Sequence, residues 1–308
     1  QASGSNPCSC YYKNSCGCYC PEPITWEQFQ LLPANFRSCE RFTLALRGGT
    51  FYSFPPDYFS RVGSVRDFAL DVGDSKFTDL LDSPSPVKGV NFDNAAFLRF
   101  NNVTVTNSWN WGAFRDLTPT LPLSYCEIQV LYSTVQSLSA DFGRICQGSV
   151  TVVNVMYSKM ATMDDGVFTN FRKLNEVDLS GNKLQSMRRS YFSMPANELE
   201  TINLSYNNIR SLPNNMFTEM PSLQKVDLKG NPITTLDETT FRSIFPYVEI
   251  IGIEGFPLNC DCRLRWLKEP GQQCGKNLYG LAGAVCNDPT RLRGRSFFND
   301  TLPRDLVC

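Results

Sequence analysis

The sequence predicts an α/β-type repeat solenoid: a curved horseshoe of stacked turns with a parallel concave sheet, an irregular or short-helical convex side and disulfide-stapled ends. Three observations carry that expectation. Eleven-residue segments with the same apolar spacing recur at steps of 25 and 24 residues. Weaker copies of the segment continue on both sides. Thirteen cysteines gather at the ends, six in the first 39 residues and five from residue 260 onward, with two between.

The three clear copies start at Leu174, Leu199 and Leu223 and read LNEVDLSGNKL, LETINLSYNNI and LQKVDLKGNPI. Their aliphatic positions, their asparagine and their period match the leucine-rich pattern L-x-x-L-x-L-x-x-N-x-L. The central residues of such a segment form a short strand whose alternate side chains point to opposite faces. One turn cannot bury its own apolar face, so stability comes from stacking on neighbours. Each fully buried aliphatic or aromatic side chain contributes roughly 1.5–3 kcal/mol. Asn182, Asn207 and Asn231 are expected to hydrogen-bond the turning backbone from inside, which makes them structural.

Along the chain, residues 1–40 read as a cysteine-rich N-terminal cap holding Cys8, Cys10, Cys16, Cys18, Cys20 and Cys39. Six cysteines allow fifteen pairings, and the sequence selects none. The Cys-x-Cys spacing is tighter than the ligand gaps of zinc sites, so no metal is expected. Residues 41–258 hold about nine rungs. The first use Leu44, Leu46 and Phe51, then Val65, Phe68 and Leu70. A poorer one uses Ala95, Leu98, Phe100 and Val105, inside an irregular stretch, 72–124, where the step lengthens to about 30 residues. The next two are Tyr125, Ile128, Val130 and Val135, then Val150, Val153, Val155 and Met160, with Ser133 and Ser158 in place of asparagine. Val248, Ile251, Ile253 and Leu258 follow the clear copies. Phe142, Phe168, Phe192, Phe217 and Phe241 recur on the return path and belong to the convex core. Cys126 and Cys146, at the edges of neighbouring rungs, are expected to pair.

Residues 259–308 read as a second cap. Cys260-x-Cys262 followed by Trp266-Leu267 resembles the C-terminal flanking module of extracellular leucine-rich-repeat proteins with cysteine-rich caps. The resemblance implies the pairs Cys260–Cys286 and Cys262–Cys308. Cys274 is a departure from that module, and because thirteen is odd it is the candidate free or intermolecular thiol. The eroded N-terminal repeats and short cysteine-dense start are similar to a group of secreted arthropod proteins. That group includes the non-catalytic leucine-rich-repeat subunit of a deep-sea shrimp luciferase. This likeness implies a partner or stabilising subunit for a smaller secreted enzyme.

Persistent disulfides imply an oxidising compartment, and the start at Gln1 beside a cysteine cluster reads as a mature chain whose leader is gone. Sequons at Asn102, Asn203 and Asn299 fit a secretory route. The chain has no run of about 18 apolar residues, the length a membrane span needs. A net charge of −1 supplies no basic field for nucleic acid. No histidine occurs, which removes the triads and the commonest general base. No phosphate loop or dinucleotide fingerprint is present. Glu176, Asp178 and Asp227 offer carboxylates on the concave strands, read as solvated or partner-facing rather than catalytic. The expected function is therefore non-catalytic and without cofactor: an accessory subunit binding another secreted protein in a hetero-oligomer. The alternatives are a free extracellular recognition or innate-immune protein and the ectodomain of a membrane receptor.

The binding surface of a repeat stack is its exposed strand face. Counting outward positions puts Leu131, Tyr132, Val152, Met156 and Tyr157 in one apolar and aromatic patch, with Glu176 and Asp178 next along the face. Exposed apolar patches mark interaction sites, and tyrosine is enriched at hot spots. Trp109, Trp111 and Phe114, in the irregular stretch, are a second candidate contact, against the alternative that they pack an oversized rung.

Overall fold

The computed structural model describes residues 7–268, 284–297, 306 and 308. Cys274 and Asn299 lie outside the described residues. The chain forms two compact units, Gln1–Leu174 and Asn175–Cys308.

The first unit opens with an antiparallel hairpin of β1 (Ser9–Tyr12) and β2 (Ser15–Cys20), in which Cys10 stands opposite Cys18. That register joins Cys10 to Cys18 and Cys8 to Cys20, and a third bridge joins Cys16 to Cys39. The helix α1 (Trp26–Leu31) follows. Its start is a capping box: the Thr25 hydroxyl accepts from the Gln28 amide at 3.2 Å, and the Thr25 amide donates to Gln28 Oε1 at 2.9 Å. Replacing Thr25 by alanine frees the Gln28 amide hydrogen, and thermal unfolding should register a loss of about 1 kcal/mol.

Strand β2 then runs parallel to β3 (Arg41–Phe51). The stack continues through β4 (Ser64–Phe77), β5 (Asn91–Asn101), β6 (Tyr125–Leu131) and β7 (Val150–Met156), each parallel to the one before. Inward positions Leu44, Leu46, Phe68, Leu70, Leu98, Phe100, Ile128, Val130, Val153 and Val155 are all buried. The N-terminal part of this core is largely aromatic. Phe29 stacks on Phe51 and Tyr58 at 4.3 and 4.7 Å between ring centroids. The Tyr58 hydroxyl donates to the Phe29 carbonyl at 2.7 Å, and burial pushes its phenol well above the ordinary range. Cys126, on β6, is bonded to Cys146 in the return path.

The serines in the asparagine position close the turns after β6 and β7. Ser133 Oγ donates to the Leu131 carbonyl at 2.8 Å and accepts from the Val103 amide at 3.0 Å. Ser158 Oγ donates to the Met156 carbonyl at 2.8 Å and accepts from the Ser133 amide at 3.2 Å. A hydroxyl has one donor and two lone pairs, which suffices for a tight turn.

The second unit stacks β8 (Glu176–Asp178), β9 (Thr201–Asn203), β10 (Lys225–Asp227) and β11 (Ile250–Gly252), paired in parallel in that order. A ladder of buried asparagines runs beneath the turns. Asn182 Nδ2 donates to the Leu179 carbonyl, Asn207 Nδ2 to Leu204 and Leu179, and Asn231 Nδ2 to Leu228 and Leu204, all at 2.8–3.0 Å. Phe192, Phe217 and Phe241 are buried on the return path. So is Arg189, whose guanidinium donates to the carbonyls of Thr218, Phe192 and Glu219 at 2.7, 3.3 and 3.4 Å. At the C-terminal end Cys260 is bonded to Cys286 and Cys262 to Cys308. The Trp266 indole donates to the Leu236 carbonyl at 3.0 Å, fixing this cap to the last return path.

Candidate protein-interaction face

On the outward face of the first unit the strand register sets side chains in rows. One row runs Tyr19, Ala45, Asp71, Arg99, Gln129 and Asn154, and another Thr43, Ala69, Phe97, Glu127 and Val152. A third runs Arg47, Gly73, Asn101, Leu131 and Met156.

The two ends of these rows differ in chemistry. Over β3 and β4 the polar groups satisfy one another. Arg41 pairs with Asp67 at 3.0 Å and Arg47 with Asp71 at 2.7 Å, and Asn94 Nδ2 donates to Asp67 at 2.6 Å. The hydrogen bond it donates to Asp71 holds the Arg47 guanidinium above its ordinary pKa, and the Arg47 side chain lies across Gly73, where an added Cβ would meet Arg47 Cδ at 3.1 Å. Over β6 and β7 the face instead combines apolar side chains with Glu127, Gln129 and Asn154. Leu131, Val152 and Met156 are half-buried there. Asn154 Oδ1, on the same face, is buried without a hydrogen-bond donor among the described residues.

The residues one place beyond that third row form a fourth: Asp74 within β4, and Asn102, Tyr132 and Tyr157 immediately after β5, β6 and β7. All four have left-handed backbone, with φ of 51°, 54°, 51° and 50°. Aspartate and asparagine tolerate that conformation, whereas an L-residue without a short polar side chain pays roughly 1–2 kcal/mol in it. Tyr132 and Tyr157 are nonetheless tyrosines in adjacent turns. They remain 62% and 42% exposed and stack on each other at 5.5 Å with a 17° interplanar angle. Outward counting located these two residues; it missed their backbone. A partial trace existed in the sequence: the equivalent residues of two clear copies and of the last rung are Gly181, Gly230 and Gly255, all with positive φ, while the third clear copy carries Tyr206, likewise left-handed at 55° and 48% exposed.

The structure removes Trp109, Trp111 and Phe114 from the candidate contacts. They are 9%, 0% and 0% exposed. Trp109 stacks on Trp111 at 5.1 Å, and Trp111 meets Phe142 edge-on at 5.0 Å. The long rung needs more side-chain volume to fill its interior, and these rings supply it.

Glu176 and Asp178 belong to the second unit, where both are half-buried on the outward face. Asp178 is tied into the fold: Oδ1 accepts from the Ser180 amide at 2.8 Å, and Oδ2 accepts from Asn203 Nδ2 at 2.7 Å. Asp227 Oδ1 accepts in the same way from the Lys229 amide at 3.0 Å. These carboxylates brace the strand-to-turn transition. Lys229 pairs with Glu254 at 2.5 Å, which raises its pKa, and its ammonium stands 5.9 Å from the centre of the Tyr206 ring.

Residues 172–233 and 197–244 match the family model described as leucine rich repeat. No curated protein sequence matches the chain. Among solved structures, it is similar to the leucine-rich-repeat protein FLRT2 in an octameric complex with Latrophilin 3 and Unc5D. The TM-score is 0.61 at 17% identity, over 93% of this chain and 94% of that one. It is also similar to TLR13 from the crystal structure of a TLR13–ssRNA13 complex. There the TM-score is 0.57 at 16% identity, over 77% of this chain but 31% of that one. The chain thus has the leucine-rich-repeat fold, with mostly parallel strands, few helices and disulfides near its termini. No helix among the described residues is long and apolar enough to cross a membrane.

Proposed function

We propose that this chain is a non-catalytic secreted scaffold, the accessory or stabilising subunit of an extracellular complex, and that it holds its protein partner on Leu131, Tyr132, Val152, Met156 and Tyr157. One observation carries the reading. Two stacked, exposed tyrosines occupy backbone conformations that glycine or asparagine would adopt at lower cost. The rings gain little from burial in the isolated chain, so their value lies in what they contact. The unmet acceptor of Asn154 and the half-buried carboxylate of Glu127 border the patch. A partner segment that sets a cationic or amide N–H group among apolar side chains complements both.

The absence of histidine and the structural engagement of Asp178 and Asp227 support the non-catalytic part. Six disulfides support the extracellular part. That the partner is an enzyme, such as a luciferase, rests on the resemblance of the sequence alone. A second reading, a free recognition protein or receptor ectodomain, draws support from the likeness to FLRT2 and TLR13, both recorded in complexes.

Size exclusion and mass spectrometry of the native material separate the two readings. The subunit reading expects a second protein co-eluting at a fixed ratio. A chain that elutes alone overturns it in favour of free recognition. Comparing reducing and non-reducing gels then shows whether a cysteine such as Cys274 carries the link.

A further inference from the structure

We infer that Asn102 is an N-glycosylation site and that Asn203, which carries the same sequon, stays unmodified in the folded chain. The inference rests on the secretory part of the reading above and adds a covalent modification to it.

The two asparagines differ in how the fold uses their amides. Asn102 opens the sequon Asn102-Val103-Thr104 on an exposed turn after β5. Its Nδ2 donates one hydrogen bond, to Asp74 Oδ1 at 2.7 Å, and its Oδ1 has no hydrogen-bond donor among the described residues. The left-handed backbone, φ 54°, projects the residue from the end of the strand. In front of it opens a cleft of about 680 Å³, lined by Asn102 with Pro23, Gly49, Asp74, Lys76 and Thr104. The glycine and proline present carbon surface, and the aspartate, lysine and threonine present hydrogen-bonding groups. Sugar rings offer that same combination of C–H faces and hydroxyls, and the cleft has room for the first of them.

Asn203 lies within β9, half-buried, and both of its amide atoms are committed. Nδ2 donates to Asp178 Oδ2 at 2.7 Å, and Oδ1 accepts from the Ser205 amide at 3.0 Å. Ser205, which supplies the sequon hydroxyl, is 5% exposed. Asp178 and Asp227 make the same oxygen-to-amide contact in the flanking turns. Asn203 thus sits half-buried in a strand with a buried sequon hydroxyl and a committed Oδ1, whereas Asn102 stands on an exposed turn with its Oδ1 free of donors among the described residues.

The modification balances with an oligosaccharide carried on a polyprenyl diphosphate as donor. Asn102 Nδ2 forms a bond to the anomeric carbon. The bond from that carbon to the diphosphate oxygen breaks, and the diphosphate leaves with its electron pair. The amide gives up one proton and keeps the other, which is the hydrogen it donates to Asp74. Because the Asn102 backbone N–H donates to the Leu131 carbonyl at 2.9 Å, the glycan flanks the tyrosine pair and bounds the partner's footprint on that side.

The test is glycopeptide mass spectrometry of the full chain secreted from eukaryotic cells. The expected result is a glycan on the Asn102 peptide and an unmodified Asn203 peptide. Correspondingly, Asn102→Gln should lower the mass of the secreted chain by one glycan, and Asn203→Gln should leave the glycan content unchanged. An empty Asn102 or an occupied Asn203 in the secreted, disulfide-bonded protein overturns the inference. Occupancy is read on peptides and partner binding on co-elution, so either reading can fail without the other.

Discussion

Replacing Tyr132 and Tyr157 together by glycine should leave the stability of the chain within about 1 kcal/mol of the parent, while co-elution of its partner weakens roughly 100-fold. The first half of that result follows from the backbone. Each tyrosine releases roughly 1–2 kcal/mol of left-handed strain when its Cβ is removed. Against this stand the lost ring pair, about 0.5–1.5 kcal/mol, and the greater freedom of glycine in the unfolded chain, about 0.5–1 kcal/mol at each site. Alanine at the same two positions keeps the strain and loses the rings, so that chain should be the less stable of the two by about 1 kcal/mol for each residue. Thermal unfolding of both double variants measures the order, and size exclusion with the native partner measures the binding. Should the glycine chain unfold as early as the alanine chain, the tyrosines are structural; should it still hold the partner, the face lies elsewhere.

The repeat was legible because its chemistry is redundant. In the second unit Val177, Leu179, Asn182 and Leu184 each report the same turn, and the copies at Leu199 and Leu223 repeat the report. In the first unit the asparagine becomes Ser133 or Ser158, and the turn survives because a hydroxyl can bond the carbonyl two residues back, as both do at 2.8 Å. A serine at one position is too common to announce that role without its neighbours. The N-terminal bridges were not legible at all. Cys8, Cys10, Cys16, Cys18, Cys20 and Cys39 are chemically identical, and only the hairpin register sets Cys10 against Cys18. For the candidate face, alternation along the strand located Leu131, Val152 and Met156 on the outward side, and the eighth position of each repeat added Tyr132 and Tyr157. What alternation cannot encode is the sign of φ, and that sign distinguishes Tyr132 and Tyr157 from ordinary exposed aromatics. The aromatic run Trp109, Trp111 and Phe114 left both contact and core open, since ring-rich sequence serves either. The outcome depends on the volume of a rung whose length had already departed from the period.

Asn207→Ala should be among the most damaging single changes on the buried ladder of the second unit. Asn207 Nδ2 donates to the carbonyls of Leu204 at 3.0 Å and Leu179 at 2.9 Å, and Oδ1 accepts from the Leu184 amide at 3.0 Å. One side chain thus satisfies three buried backbone groups from two neighbouring turns. Alanine leaves the Leu184 amide without a partner, while the Leu179 and Leu204 carbonyls keep the bonds they accept from Asn182 and Asn231 at 2.9 Å, so one orphaned group at about 1–3 kcal/mol and two lost bonds at about 0.5–1.5 kcal/mol each should cost about 3 kcal/mol. That is a large fraction of the total stability of many domains, roughly 5–15 kcal/mol. Hydrogen exchange resolves the effect locally: the Leu184 amide should lose roughly a hundred-fold of its protection. The exposed neighbour Asn208 provides the control, and Asn208→Ala should change stability by less than about 0.5 kcal/mol. Asn207→Asp separates the donor from the acceptor. Its carboxylate can still accept from Leu184 but opposes the Leu179 and Leu204 carbonyls, so burial and repulsion raise the folded-state pKa of the introduced group above about 3.9. The folded state then binds the extra proton, and stability must fall as pH rises from the unfolded pKa through the folded one. Acidification should therefore recover part of the lost protection in this variant and none in Asn207→Ala. Equal exchange in the two variants at low pH would mean that the paired donors of Asn207 do not hold the turn.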